Sequence, residues 1–225
     1  MSTQDPMLPL LFPLLQAFPA EQREALIAKG QEFDAPAGTQ LWLEGQSVDQ
    51  VLFFSSGTIL AAANAHAGQR RFLYGHMAAG SIAGLHALFI SEPMQIQLTV
   101  QEDAHYLQLP LADLRQALAL CPAAWQAVAQ ELAHGVYHLI NTINLISQSN
   151  GYHRLRRLLI QLDRRASKSG HQKSGLVLSQ QEIAERIGLS REMVNRMLTQ
   201  LRNGNYITQD ERGVFRILQA LPHEF

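Results

Sequence analysis

The residues with the most distinctive chemistry lie near the C-terminal end, on one face of a predicted helix that begins after Ser190. Val194, Leu198 and Leu201 are spaced for burial at intervals of four and three, so the other side chains should point outward. The outward set is Arg191, Glu192, Asn195, Arg196 and Thr199. Arginine can bond O6 and N7 of guanine, and glutamate can accept from the amino group of cytosine, each contact contributing about 1 to 3 kcal/mol of discrimination. This face predicts recognition of base edges in a DNA major groove.

The segment before that helix indicates how it is presented. Ser179 and Glu182 stand three apart as a capping box for a preceding helix, and Ser190 is a suitable N-cap for the second one. Gly188 can adopt the left-handed conformation that reverses the chain between them. Two capped helices joined at a glycine predict a helix-turn-helix, although an ordinary solvated helix face is the simpler alternative. We expect contacts with the DNA backbone from Ser179, Gln180, Ser190 and Thr199.

A β-hairpin is predicted after the second helix. The segments 206–208 and 214–218 are rich in β-forming residues and flank a polar turn that contains Gly213. Such a hairpin is the wing of a winged helix-turn-helix. We expect Arg212 and Arg216 to reach the DNA backbone from it.

The overall formal charge of −1 conceals an uneven distribution. Up to Asn150 there are 5 Lys and Arg residues against 12 Asp and Glu, and after it 13 against 7. The two parts therefore carry net charges of −7 and +6. Because basic side chains near phosphates gain from counterion release, only the last third of the chain is expected to contact nucleic acid.

Upstream, the pattern of apolar residues changes twice. Residues 8–29 have helical periodicity, and Pro19 with Glu21 opens a second stretch, which predicts two short helices. From about Gln31 to Leu109, short apolar runs alternate with glycines at roughly ten-residue spacing, which is typical of a small antiparallel barrel or jelly roll. The clearest runs are Gln40-Leu41-Trp42-Leu43, Val51-Leu52-Phe53-Phe54 and Gln97-Leu98-Thr99-Val100.

Two further helices are predicted, one over 111–120 and a longer one that starts near Pro122. Apolar residues recur in the longer helix at alternating spacings of three and four, as in the a/d seam of a coiled coil. These residues are Ala129, Leu132, Val136, Leu139, Ile143 and Ile146. Two copies are expected to pair along this seam, although a helix packed on its own domain would show the same pattern.

The polar and flexible segment 148–151 marks a hinge. We therefore expect an effector domain at 1–121, a dimerisation helix with its hinge at 122–150, and a DNA-binding domain at 151–225.

The order of barrel, long helix and winged helix-turn-helix, together with Ser-Arg-Glu-Met-Val-Asn-Arg at 190–196, resembles the cyclic-AMP receptor protein and fumarate-nitrate regulator (CRP/FNR) family. The resemblance extends to Gly45, Gly57 and the Gly-Ser-Ile-Ala-Gly turn at 80–84. It implies an α+β fold whose N-terminal part is an antiparallel β jelly roll like that of cyclic-nucleotide-binding domains. It also implies a homodimeric transcription regulator, and a contact between the loop at 168–173 and RNA polymerase if the protein is an activator.

The recognition-helix pattern belongs to the cyclic-AMP receptor branch of that family. This chain has the same pattern, with Arg191 and Glu192 followed, after three intervening residues, by Arg196. The resemblance therefore implies a palindromic site with GTGA-like half-sites on double-stranded DNA.

Other positions depart from the family. Its cyclic-nucleotide pocket has a glutamate for the ribose, an Arg-Ser pair for the phosphate, and hydroxyl residues on the dimer helix for adenine. The resemblance places Leu85, Gln95 and Ile96 at the first positions and Leu139 and Ile140 at the last. A cyclic phosphate there would lose its cation and its hydrogen bonds. We expect an unknown effector other than cyclic AMP, in a pocket lined by these five residues and Gly84.

Histidines leave a second class of function open. His134 and His138 lie four apart on one helical face, a spacing suited to metal or haem ligands, but no third ligand is evident. A cupin-like metal-dependent enzyme is the main alternative to a regulator. It would need a His-x-His pair, and His66, His76 and His86 are never two apart. We therefore expect no enzymatic activity, no metal and no cofactor.

The remaining features concern the cellular compartment. Cys121 is the one cysteine of the chain, so neither a disulfide framework nor an iron-sulfur cluster within one chain is expected. No run approaches the ~18 to 20 apolar residues of a membrane span, and residues 1–6 lack the basic flank of a secretory signal. The sequence predicts a cytoplasmic protein without membrane contact.

Overall fold

The computed structural model describes residues 8–63, 72–147, 150–168, 178–209 and 213–224. These residues pack as two compact units. The first contains residues 8–63 and 74–138, and the second contains residues 72–73 and those from Leu139 onward, so that one division falls inside a helix, between His138 and Leu139. We predicted boundaries after residues 121 and 150, and the shared helix is the element that lies between them.

The first unit begins with three short helices, α1 (Leu8–Leu11), α2 (Pro13–Gln16) and α3 (Ala20–Ile27). The strands of the described residues follow as β1 (Gln31–Ala35), β2 (Gln40–Trp42), β3 (Gln50–Phe54), β4 (Thr58–Ala63), β5 (Phe72–Ala78), β6 (Ile82–Ala83), β7 (Gln97–Glu102) and β8 (Ala104–Pro110). A 3-10 helix spans Leu85–Leu88, and α4 (Leu111–Leu120) and α5 (Ala124–Ile146) come after β8.

The prediction of two helices in residues 8–29 was wrong, because the first of them is divided at Phe12. A proline disfavours the helical conformation of the residue before it, and Phe12 accordingly has φ −121° and ψ 105°. Pro13 then occupies the first turn of α2, where its missing N–H costs nothing. The second predicted helix is α3.

Two four-stranded sheets, ordered β1-β8-β3-β6 and β2-β7-β4-β5, form a β-roll from antiparallel pairs such as β3 with β8. Alternate residues of β3 point to opposite faces, as strand geometry requires. Leu52 and Phe54 enter the core inside the roll, whereas Val51 and Phe53 enter a second core that the sheet shares with the helices. The predicted antiparallel jelly roll is confirmed.

His105 on β8 joins two carboxylates of the neighbouring strand. Its Nδ1 lies 2.8 Å from Oδ1 of Asp34, and its Nε2 lies 3.3 Å from Oε2 of Glu32. The hydrogen bond with Asp34 raises the pKa of His105 most, the charges of Asp34 and Glu32 add to it, and partial burial opposes it. The pKa of His105 in the folded protein therefore lies above the unfolded value of 6.5.

His105→Gln should remove a stabilisation that depends on pH. Since the folded pKa is the higher one, the protonated His105 stabilises the fold fully below pH 6.5, and this contribution is lost as the pH rises through the folded pKa. Exposed pairs of this kind contribute up to about 1 kcal/mol. Thermal unfolding should show the largest difference between wild type and variant near pH 6 and almost none near pH 9. A difference that is constant across this range would contradict the assignment.

The second unit contains α6 (Gly151–Lys168), α7 (Gln180–Ile187), α8 (Arg191–Asn203), β9 (Ile207–Gln209) and β10 (Phe215–Ile217). Leu155, Ile183 and Leu198 are fully buried in its core, where the three helices meet. β9 and β10 pair antiparallel, with Arg216 opposite Thr208, which confirms the predicted hairpin.

Helix α5 begins two residues after Pro122 and packs differently along its length. Its first turns place Ala124 and Val128 in the core of the first unit, and near its end Leu145 enters the core of the second. None of the helices in the described ranges is long and apolar enough to cross a bilayer.

Candidate nucleic-acid interface

The two helix caps are formed as the sequence predicts. The hydroxyl of Ser179 accepts a hydrogen bond from the backbone N–H of Glu182 at 3.2 Å, and the backbone N–H of Ser179 donates to the Glu182 carboxylate at 2.7 Å. The hydroxyl of Ser190 accepts from the N–H of Met193 at 3.2 Å. Gly188 ends α7 in the left-handed conformation, with φ 66°. These bonds fix both helix starts and the turn between them.

Helix α8 buries one face and exposes the other. Val194, Leu198 and Leu201 are fully buried, as predicted. We also expected every other residue of α8 to face outward, and this was wrong for Met197, which is only 7% exposed. Met197 lies three residues from Val194 and next to Leu198, so it falls inside the apolar stripe of a helix that packs against a core.

The predicted base-reading residues share the exposed face of α8. The side chains of Arg191, Glu192, Asn195 and Arg196 are all exposed. Within the described residues, Arg191, Glu192 and Arg196 make no ion pair or hydrogen bond with one another or with any neighbour. Two guanidinium groups and a carboxylate are therefore open to an outside partner.

Asn195 has a partner within the chain. The side-chain amide of Gln180, in the first turn of α7, donates to Oδ1 of Asn195 at 3.1 Å. This bond links the starts of α7 and α8, and the two residues line a shallow recess together with Ser190, Arg191 and Glu192. The pairing depends on the crossing of two helices, so sequence spacing could not have indicated it.

The wing is tied to the end of α8. Arg202 donates to Oε1 of Gln209 at 2.7 Å, and the amide of Gln209 donates to the carbonyl of Gly213 at 2.8 Å. Arg216 is exposed on β10. Arg212, which we predicted at the DNA backbone, lies outside the described residues, as does most of the predicted polymerase-contacting loop at 168–173.

The predicted effector-pocket residues fall into different surroundings. Gly84 has φ 96°, and a Cβ there would stand 2.6 Å from the carbonyl oxygen of Gln50, so this position requires glycine. Leu85 is only 4% exposed and belongs to the core shared with the helices, whereas Ile96 packs against the core inside the roll. Gln95 is exposed and donates to the carbonyl of Pro93. The structure thus does not gather these side chains into one core.

The residues that we predicted to form the seam lie along α5 with unequal burial. Val136, Leu139 and Ile143 are 45% to 59% exposed, and Ala129 is also exposed. Leu132 is partly buried against the core of the first unit, and Ile146 is half-buried. Leu139 and Ile140, predicted for the effector pocket, belong to the part of α5 that packs with the second unit.

The two histidines of α5 differ in their surroundings. His134 is exposed, and Nε2 of His138 lies 3.3 Å from the carbonyl oxygen of Tyr74 on β5. Elsewhere in the first unit, burial lowers the pKa of His86. Over the described residues, no group of three His, Cys, Asp or Glu side chains is placed to hold a metal ion.

Comparisons with known families match both units. Residues 153–220 match the Crp-like helix-turn-helix domain, and residues 32–120 match the cyclic nucleotide-binding domain. Over 195 residues, the chain is 25% identical to a CRP-like cAMP-activated global transcriptional regulator of Mycobacterium tuberculosis. The aligned region covers 84% of this chain and 85% of the relative.

Solved structures share the fold. The c-di-GMP responsive global regulator CLP of Xanthomonas campestris superposes with a TM-score of 0.74 at 20% identity, over 90% of this chain and all of that one. FixK2 from Bradyrhizobium japonicum has a TM-score of 0.70 at 17% identity, over 84% of this chain and 93% of that one. The cyclic nucleotide-binding domain comes first in the chain, and the helix-turn-helix domain, whose helix caps are formed, follows it. The chain therefore belongs to the CRP/FNR family of DNA-binding transcription regulators.

Proposed function

We propose that the protein is a homodimer that binds a palindromic DNA site with GTGA-like half-sites, and that an effector other than cyclic AMP controls it. The observation that carries the proposal is the exposed face of α8, where Arg191, Glu192 and Arg196 are free of partners among the described residues. A recognition helix contacts base edges with the residues of its first turns, and these three occupy them.

The chemistry of the three side chains favours base edges over phosphates. Each arginine can donate twice to one guanine, and Glu192 can accept from a cytosine amino group. A carboxylate facing the phosphate backbone would be repelled, so Glu192 suits a position deep in the groove. Asn195, held by Gln180, is a fourth candidate, and its amide N–H groups are oriented by that bond.

Residues at the edges of the exposed face of α8, and at the start of α7, contact the phosphates of the DNA backbone. Ser190 and Thr199 lie on either side of the base-reading residues, and Ser179 and Gln180 begin α7. The hydroxyls of Ser179 and Ser190 already accept a backbone N–H, but each retains its own hydrogen for donation to a phosphate oxygen. The positive N-terminal ends of α7 and α8 favour the same anions.

The apolar surface of α5 supports the homodimer. Val136 and Ile143 are 56% and 59% exposed, and Leu139 lies between them on the same face. Contiguous exposed apolar side chains are typical of an interaction surface, and their spacing of three and four suits a parallel partner helix. Two-fold symmetry would then present two α8 helices to successive major grooves, about 34 Å apart.

Selection from a random duplex library tests this proposal. We expect the full-length protein to enrich inverted GTGA-like half-sites separated by about one helical turn, centre to centre. Enrichment of single half-sites would contradict the dimeric arrangement. Enrichment of an unrelated sequence would contradict the assigned roles of Arg191 and Arg196.

The proposal that cyclic AMP is not the effector rests on the residues of the roll. In the described part of the first unit, the Lys and Arg residues are Arg23, Lys29 and Arg115, and all three lie on or just after helices α3 and α4, not on strands of the roll. Lys29 pairs with Asp113, and Arg115 donates to the carbonyls of Ala87 and Leu88. Arg70 and Arg71 lie outside the described residues. The M. tuberculosis relative is named as cAMP-activated, and we propose that this chain differs from it.

Calorimetric titration with cyclic AMP should give a Kd weaker than the micromolar range, because the phosphate finds no cation at Gln95 and no hydroxyl at Ile96. The variant Q95R/I96S, which supplies both groups, should bind cyclic AMP more tightly than wild type. A micromolar or tighter Kd for the wild type would overturn this part of the proposal.

A further inference from the structure

Helix α6 carries a cluster of basic side chains that the proposed function does not use. In the second unit they surround a recess of about 460 Å³, which is within the range of small-molecule sites. The polar residues that line it on α6 and the C-terminal segment are His153, Arg156, Arg157, Gln161, Arg164 and His223.

The spacing of these residues places them on one face of α6. Positions 153, 157, 161 and 164 follow one another at intervals of four, four and three, and position 156 lies three after 153, as residues on the same side of a helix do. The opposite side of α6 carries Leu155, Leu159 and Leu162, which are buried in the core of the second unit. The basic face therefore points away from the core that supports the helix-turn-helix.

Three hydrogen bonds hold the walls of the recess. Nε of Arg156 donates to the carbonyl of Leu221 at 3.3 Å, and Nη1 of Arg157 donates to the carbonyl of Asn144 at 3.3 Å. Nε2 of His153 lies 2.8 Å from the carbonyl of His223. Each arginine uses one of its five N–H donors in this way, so the guanidinium groups are anchored but retain donors.

The charged side chains that line the recess are basic. No carboxylate lines it among the described residues. Asp163, the acidic residue of α6, accepts from the backbone N–H of Ile217 and is not part of the lining. Like charges three and four apart on a helix repel one another, and a bound anion would relieve that repulsion.

We propose that this recess binds a small phosphorylated molecule. Anchored guanidinium groups with remaining donors match the oxygens of a phosphate or diphosphate, which accept several hydrogen bonds at once. The concave shape favours a small ligand over the convex backbone of duplex DNA. Asn141 of α5 also lines the recess, so a ligand there would contact the end of the long helix and the start of the DNA-binding domain together.

Titration of the full-length protein with sodium pyrophosphate, at constant ionic strength, tests the proposal. We expect saturable binding of one pyrophosphate per chain. R156Q/R157Q should weaken it by roughly tenfold or more, because two charge-assisted donors are lost. R164Q should also weaken it. Arg164 is exposed and bonds to no described residue, so this variant tests the recess without disturbing the fold.

R191Q/R196Q is the matched control, since it removes the same charge from α8. It should bind pyrophosphate like wild type while losing DNA specificity, which separates a failure of this proposal from a failure of the proposed function. The proposal is overturned if wild type shows no saturable binding, if all the variants bind equally, or if the control weakens as much as R156Q/R157Q. It is also overturned if the α6 variants weaken only the binding of random duplex DNA, which would make the recess a DNA contact.

Discussion

Arg196→Ala should relax sequence preference at one guanine of each half-site and leave the other positions of the site unchanged. Arg196 is exposed on α8, and its guanidinium group has no partner among the described residues. Loss of a bidentate contact with guanine costs about 1 to 3 kcal/mol, or roughly 5- to 150-fold in affinity for that base. Selection from a random library with wild type and variant in parallel measures the change position by position.

Thr199→Ala is the matched control for this experiment. Thr199 is exposed on the same helix but is expected to contact phosphate, so its loss should weaken all sequences about equally. Ser179 is a poorer control, because its hydroxyl caps α7 and its replacement would also destabilise the helix by about 1 kcal/mol. Uniform weakening by Arg196→Ala, with no change in preference, would show that Arg196 contacts the backbone instead.

The double substitution L139E/I143E should convert the proposed dimer to monomers. Both residues are among the exposed apolar side chains of α5, and four carboxylates would face one another across a symmetric interface. Sedimentation should detect the monomer directly. Affinity for a palindromic duplex should fall by 100-fold or more, since the two half-sites would no longer be bound by one linked molecule, an effect that is worth about 10² to 10⁴.

A control for charge alone comes from exposed positions of the same helix that are not among the predicted seam residues. Gln126 and Gln130 are exposed, and Q126E/Q130E adds the same two carboxylates to α5. This variant should remain dimeric and bind DNA like wild type. If L139E/I143E also remains dimeric at micromolar concentration, the apolar face of α5 is not the interface.

The parts of the fold that follow local rules could be predicted from the sequence. Capping at Ser179 and Ser190 and the left-handed turn at Gly188 depend only on neighbouring residues. Helix α4 begins and ends where the periodicity indicates. The break at Phe12 follows an equally local rule, the effect of a proline on the residue before it, and could have been predicted.

The features that were missed depend on contacts between distant segments. Leu85 and Ile96 occupy different cores because two faces of one sheet pack against different partners. The bond between Gln180 and Asn195 exists because α7 and α8 cross. The recess on α6 is completed by His223, 70 residues beyond His153. The sequence shows the helical spacing of the arginines in this recess, but it does not show that the C-terminal segment with His223 faces them.

The ratio of two dissociation constants tests the central claim most directly. One duplex carries two inverted GTGA half-sites, and the other has the same composition with both half-sites scrambled. Both affinities are measured at fixed salt, first without and then with a low-molecular-mass cell extract that could supply an effector. In at least one of these conditions we expect the first duplex to bind at least ~10³-fold more tightly. Equal affinity for both duplexes, with and without the extract, would contradict base recognition by Arg191, Glu192 and Arg196.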